Sequence, residues 1–167
     1  MTEIRILVDE RDHIIGYAPI DSVYRKNLLH RGAATMVLNS SGEIFVHRRA
    51  FHQRVYSGYY ALFAGGGVMK GETYKQGALR ELREELGIRG AQLQKLFTLR
   101  YKNSVNNNFT RFYLCKYDGH IRLQRSELQW GAFVSPAQLK KLLRTKRFAP
   151  DDVRGFRKYL SDWRTYG

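Results

Sequence analysis

Two apolar runs flank polar Glu10–His13 in "EIRILVDERDHIIGYAPI", which predicts a hairpin of two strands. "GAATMVLNSSGEIFVHRRA" repeats the arrangement. Its turn, Asn39-Ser40-Ser41-Gly42, is made of residues that tolerate unusual backbone angles. "YYALFAGGGV" is a short apolar run that ends in glycines. The period then changes, because Tyr74, Ala78, Leu82 and Leu86 recur at every fourth position, the spacing of one helix face. Thr73 with Gln76 has the capping-box pattern, and Gly87 stands where a helix commonly ends in a left-handed residue. A helix over Tyr74–Leu86 is the expectation. Strands follow at "LQKLFTLRYKN", "FTRFYLCKYDG" and "GAFVS", with "SVNNN" as a turn. In "SPAQLKKLLRTKR", Pro136 follows a capping Ser135, and Leu139, Leu142 and Leu143 form a stripe. "DDVRGFRKYLSDWRTY" predicts a last helix with Val153, Phe156, Tyr159, Leu160 and Trp163 on one side. The element order predicts an α/β (α+β) chain with a mixed sheet flanked by helices.

Composition narrows the class. Hydrophobic residues make up 43% and aromatics 13%, enough for a core. The length suits one domain, residues 1–167. No apolar run approaches a membrane span, and "MTEIRILVDERDHIIGY" lacks the basic-then-apolar order of a signal peptide. Cys115 is the single cysteine and has no partner for an internal disulfide. These features predict a cytoplasmic protein without membrane contact. Charge adds a further constraint, since 29 basic against 15 acidic residues leave +14. Such a chain attracts polyanions, whether nucleotides or nucleic acid. The basic residues are dispersed, and the densest run, Arg144–Arg147, is short for a nucleic-acid tail.

Against that background "GGGVMKGETYKQGALRELREELGI" concentrates acid. With Glu81 at zero on a wheel of about 100° per residue, Glu84 falls near −60° and Glu85 near +40°. Like charges three and four apart destabilise a helix unless something positive lies among them. Arg80, four before Glu84, is one such group, and a hard divalent cation is another. Glycines at 65, 66 and 67 let a backbone approach a ligand closely, and a carbonyl there is a further oxygen donor. A solvated helix face and a metal site both remain open on these residues alone.

The spacing decides between them. Gly66, Glu72, Arg80, Glu81, Leu82, Glu84, Glu85, Gly87 and Ile88 fill G-x5-E-x7-R-E-U-x-E-E-x-G-U, with U a bulky aliphatic residue. Average residue frequencies give this by chance in roughly one of 10⁷ chains. The stretch resembles the signature of the Nudix hydrolases. The resemblance implies an α/β/α sandwich and Mg²⁺- or Mn²⁺-dependent attack of water on a diphosphate linked to another moiety. It implies Glu81, Glu84, Glu85 and the Gly65 carbonyl as metal ligands, with Glu81 also activating water. Gly66, Glu72, Arg80 and Gly87 shape the loop and helix by the same comparison. Homodimers are common in the superfamily.

The flanks, "LLHRGAATMVLNSSGEIFVHRR" and "FVSPAQL…RFAPDDVRGFRKYL", look like the isopentenyl-diphosphate-isomerase-like branch. Isomerases of that branch use a cysteine in the strand before the signature, and histidines for metal. Here that strand, "YYALFAGGG", has neither, His30 is the lone matching histidine, and Cys115 reads as core. Hydrolysis is the expectation, and an RNA-directed Nudix protein is the alternative that the charge suggests. Glu127 matches the additional acid that many family members use to activate water or bind a second metal, although Trp130 replaces the acid often found three residues later. Arg48, Arg49, Arg100 and Trp130 are candidates for binding substrate, with Tyr101 and Arg111 as further possibilities. Trp130 would stack a base, and of Arg48 and Arg49 at most one points inward, because strand neighbours face opposite sides.

Overall fold

The computed structural model describes residues 2–166, so Met1 and Gly167, the outer limits of the expected domain, lie outside the described residues. The expected hairpin is formed by β1 (Ile4–Val8) and β2 (Ile14–Pro19), paired antiparallel from Ile4↔Pro19 to Val8↔Ile14. A short helix that the hydrophobic pattern did not predict, α1 (Ile20–Arg25), follows at once. It buries one side chain, Val23, so there is no periodicity to read.

β3 (His30–Leu38) runs through the centre of the sheet. It pairs antiparallel with β6 (Ala64–Gly67) and parallel with β8 (Asn107–Lys116), in register from His30↔Asn108 to Leu38↔Lys116. β4 (Ile44–Arg49) pairs with β5 (Tyr60–Ala61) and with β9 (Leu128–Val134). β7 (Leu93–Lys102) makes a hairpin with β8. Its turn is shorter than expected, because Asn107 and Asn108 are already buried strand residues and their side-chain amides bond inward, Asn107 to the carbonyl of Asn27.

Alternation along β3 separates two layers of core. Val37 faces Leu82, Leu86 and Ile88, from α2 (Tyr74–Leu86) and the residues after it. Ala34 and Met36 face Leu139 of α3 (Pro136–Thr145) and Phe156 of α4 (Pro150–Tyr166). The result is an α/β/α arrangement. On α4, Val153, Phe156 and Tyr159 pack on the core, whereas Leu160 and Trp163 are 52% and 55% exposed. The stripe is real, but the sheet is too short to cover its far end.

α2 begins and ends where its local signals place it. Thr73 Oγ1 accepts from the Gln76 amide, the Gln76 side-chain oxygen accepts from the Thr73 amide, and Gly87 closes the helix at φ +70°. Replacing Thr73 with Ala removes the acceptor and is expected to cost about 1 kcal/mol in urea unfolding. An unchanged midpoint would show that the cap contributes nothing.

Candidate active site

Arg80 is the hub of the site. Its Nε donates to Glu72 Oε1 at 2.7 Å and its Nη2 to Glu72 Oε2 at 3.1 Å, a two-pronged pair. Nη1 donates to Glu81 Oε1 at 2.7 Å and Glu84 Oε2 at 3.2 Å, and Nη2 also reaches the Gly67 carbonyl at 3.0 Å. One guanidinium thus links α2, the loop before it and the end of β6. Glu72 accepts a further bond from the Met69 amide at 2.9 Å, which anchors that loop. Burial alone would raise the Glu72 carboxyl, but the hydrogen bond from Arg80 leaves it below its ordinary value.

The helix lies close to the β6 backbone. The Gly65 amide donates to Glu85 Oε2 at 2.9 Å. A Cβ on Gly66 would come within 2.5 Å of Glu81 Oε1, so only glycine leaves room for that carboxylate. Glu81 and Glu85 are buried, at 7% and 2% exposure. Burial is the main reason the Glu81 carboxyl is pushed up to about 7, against the opposing pull of Arg80. Glu85 lies well above the ordinary range, through burial first and then through the nearby Glu81. Glu84 stays outside, with its side chain 40% exposed.

These carboxylates form one wall of a cavity of about 380 Å³ that Gly65, Gly66 and Gly67 also line. Glu127, raised by burial, borders the same cavity from the turn before β9. The sequence-based expectation therefore places Glu81, Glu84, Glu85, Gly65 and Glu127 around one space. Of the two neighbouring arginines, Arg49 lines it and Arg48 does not. Arg49 is braced by Val55 O and Gln53 Oε1. Arg48 turns to Gly58 O and lies over the Phe51 and Tyr60 rings.

Three substrate-facing expectations need correction. Arg48 is held outside by these contacts. Trp130 stands opposite Arg48 in the β4–β9 register, against the Tyr60 ring, so it lies on the same outer side. Arg100 pairs with Glu10 and lies over Phe109, away from the cavity. Of the lesser candidates, Tyr101 bonds with Asn103 and Arg111 with Thr98. Among the cations that do line the cavity, Arg5 and Arg54 were not anticipated. Arg5 donates to the Gly67 carbonyl and pairs with Glu3. On an edge hairpin it reads as an ordinary alternating polar residue. Arg54 pairs with Asp21 of α1, an element the pattern missed.

A second, inner cavity of about 110 Å³ shares Tyr24, Arg49, Val55 and Gly65–Gly67 with the first. His30 lines it, away from the glutamates. Burial pushes its imidazole down to about 4, and its Nδ1 lies 2.9 Å from the Leu28 carbonyl. Asp151 and Asp152 also line this cavity. In the sequence they look like ordinary acids in the first turn of a helix.

A hard divalent cation fits the donor set, which is all oxygen: buried carboxylates whose charge asks for compensation, beside a glycine backbone. As the side chains lie, no three acidic, histidine or cysteine groups among the described residues stand close enough together to hold one. Arg80 supplies the positive charge between Glu81 and Glu84 instead.

Comparison with known proteins shows the family. The family model described as the NUDIX domain matches residues 28–157. An uncharacterized Nudix hydrolase of Pseudomonas aeruginosa is 35% identical over 158 residues, which cover 95% of this chain and 94% of that protein. An isopentenyl-diphosphate Delta-isomerase of Serratia proteamaculans is 31% identical over 124 residues, or 71% of this chain and 69% of that one. In structure, a Deinococcus radiodurans protein superposes with TM-score 0.79 at 23% identity, covering 93% of this chain and 98% of that one. The chain belongs to the Nudix family and is a Nudix hydrolase. Enzymes of this family generally use divalent metal cations.

The raised Glu81 carboxyl gives a signed pH effect. Its folded value of about 7 exceeds the ordinary glutamate value of 4.5, so folding favours the protonated form. The stability it contributes is full below about 4.5 and is lost as pH rises through about 7. Buried His30 and His47, pushed down, act in the opposite direction, so the useful quantity is the difference between two proteins. Glu81→Gln should gain thermal stability relative to the parent between about pH 4.5 and 7 in the presence of a chelator. A difference that is flat or falls across that window contradicts this assignment.

Proposed function

We propose that the chain is a Mg²⁺- or Mn²⁺-dependent pyrophosphohydrolase that cleaves a nucleoside diphosphate linked to another moiety, by attack of water on a phosphorus. The observation that carries this reading is a single cavity with buried glutamates on one wall and Arg5, Arg49 and Arg54 around the rest. Carboxylates and guanidiniums in one cleft suit a substrate that is itself an anion and is held partly through a cation.

In this reading Glu81, Glu84, Glu85 and the Gly65 carbonyl hold the metal. When bound, the metal neutralises charge on the bridging and leaving oxygens and polarises the attacking water. Arg49 and Arg5 take phosphate oxygens. Arg49 suits this because its Nη1 makes no hydrogen bond among the described residues. Arg80 orients Glu81, and Glu72 fixes Arg80. Glu127 and Glu81 are the acceptors for the water proton. Both are raised by burial, the direction that makes a carboxylate a better proton acceptor. The +14 charge draws polyanions toward this cleft.

Hydrolysis is favoured over isomerisation by the side chains around the cleft. Cys115 is buried in the core beneath α2, and His30 lies in the inner cavity. Neither stands beside the glutamates as the acid–base group of an isomerase would. The test is incubation with Mg²⁺ or Mn²⁺ and a panel of nucleoside diphosphates, nucleotide sugars, dinucleoside polyphosphates, coenzyme A and capped RNA, following phosphate or pyrophosphate release. Glu85→Gln should lower kcat by about 100-fold or more, and chelation should abolish turnover. No turnover on any substrate, or equal turnover by the variant, would sink the proposal.

A further inference from the structure

A third cavity, of about 450 Å³, is larger than either of the two described above and shares no lining residue with them. It lies between β4, β9 and the loop that joins β8 to β9. Phe45, almost fully buried, is its floor. Gly131 lets that ring lie against the β9 backbone, since a Cβ there would come within 2.6 Å of Phe45 Cζ. Ile121 and Leu123, half-buried against the core layer beneath α2, form apolar sides. The rim is basic, with Arg122, Arg125 and His120 exposed, and no carboxylate lines the space. Arg125 Nη1 donates to the Gln129 carbonyl at 2.9 Å, and the Arg122 guanidinium makes no hydrogen bond among the described residues.

This lining fits a particular chemistry. A bare phosphate would leave the apolar sides uncovered, and a neutral ring would leave the arginines unmatched. An organic anion with a flat apolar body satisfies both. A cavity of about 150 Å³ is known to hold a benzene ring, so a space of this size admits about two or three rings. The same loop is also bonded to the catalytic cleft. Its Arg122 amide donates to the Leu86 carbonyl at 3.0 Å and its Gln124 amide to the Glu85 carbonyl at 2.9 Å, two of the last carbonyls of α2, which have no acceptor role left within the helix. The Gln124 carbonyl in turn accepts the amides of Glu127 and Leu128, both at 2.9 Å. One residue, Gln124, thus links the basic loop to the acid that borders the outer cavity. A ligand that holds residues 120–125 also restricts Glu127.

We infer that the third cavity is an effector site for an organic anion with a flat apolar body, and that its occupant steadies the loop that carries Glu127. Arg122 and Arg125 take the anionic group, and Phe45, Ile121 and Leu123 take the rings. The effector never meets the substrate. Its influence passes through the Gln124 hydrogen bonds to Glu85 on one side and Glu127 on the other. Only the consequence for catalysis rests on the role given to Glu127 above. The binding and the steadying of the loop stand on the cavity and its hydrogen bonds.

The probe is 8-anilinonaphthalene-1-sulfonate, three rings with one sulfonate, whose fluorescence reports contact with apolar surface. It should bind the native protein saturably, and the double variant Arg122→Ser, Arg125→Ser should bind it about tenfold or more weakly, the value of one hydrogen bond between charged partners. Both arginines are exposed, so the double variant keeps the fold. N-phenyl-1-naphthylamine, the same body without the sulfonate, should bind more weakly than the probe. Arg49→Ala, changed in the outer cavity, should bind the probe as the parent does. Absence of saturable binding, equal binding by the double variant, equal binding of the uncharged analogue, or a loss in Arg49→Ala overturns the site. Amide hydrogen exchange read by NMR tests the link to the cleft. With the probe at about ten times its Kd, exchange at Gln124, Glu127 and Leu128 should slow by about tenfold in the parent and not in the double variant. Unchanged exchange at those amides overturns the steadying of the loop. Neither readout uses turnover, so a protein that hydrolyses no substrate of the panel would lose the hydrolase reading and keep the effector site.

Discussion

Arg80 carries a charge that five oxygens share. Glu72 supplies two, Glu81 and Glu84 one each, and the Gly67 carbonyl the last. Burial disfavours the guanidinium's charge, yet these partners hold it more firmly protonated than a free arginine. The cluster makes it possible to place acid inside a helix at all, since three carboxylates within five residues would otherwise repel one another. It also ties together with hydrogen bonds three pieces of chain that already pack through Val68, Tyr74 and Ala78: the end of β6, the loop and α2. Remove that charge and the glutamates lose both their neutraliser and their positions.

The second constraint is the smallness of the residues beneath the site. β3 contributes Gly32, Ala33 and Ala34 to the inner cavity, and β6 contributes three glycines shared by both cavities. Side chains of ordinary size here would fill the space in which a ligand must lie. Farther along the same strand Met36 and Val37 are fully buried, and the sheet becomes solid core. One strand therefore changes from wall to packing within a few residues. The pleat does similar work at the end of β4, where it turns Arg49 into the cleft and Arg48 out of it.

What was legible in the sequence follows from how local each signal is. α2 could be bounded to the residue, because a capping box, a fourfold period and a left-handed glycine coincide within fifteen positions. Its acids could be grouped on a face from spacing alone. The choice between Arg48 and Arg49 was legible only as a rule that one must point inward, since the pleat does not say which. Arg5 was not legible, because its meaning depends on a carbonyl 62 residues away. Asp151 and Asp152 look identical to acids that merely suit a helix start, and only the fold brings them against Leu62 and Phe63. Leu160 and Trp163 show the converse failure. Periodicity names a side of a helix but cannot say how far the surface opposite it extends.

The bond from Asp152 to Leu62 spans 90 residues of chain. The glutamate helix and its loop, by contrast, are complete before residue 90. During synthesis the start of α4 therefore emerges long after the strand end whose amides it accepts, because chains emerge from the N-terminus onward. Until α4 docks, the amides of Leu62 and Phe63 lack their acceptor, and the inner cavity lacks its far wall. The junction between the sheet and the last helix thus joins residues translated far apart, and it is among the last parts of the fold to close.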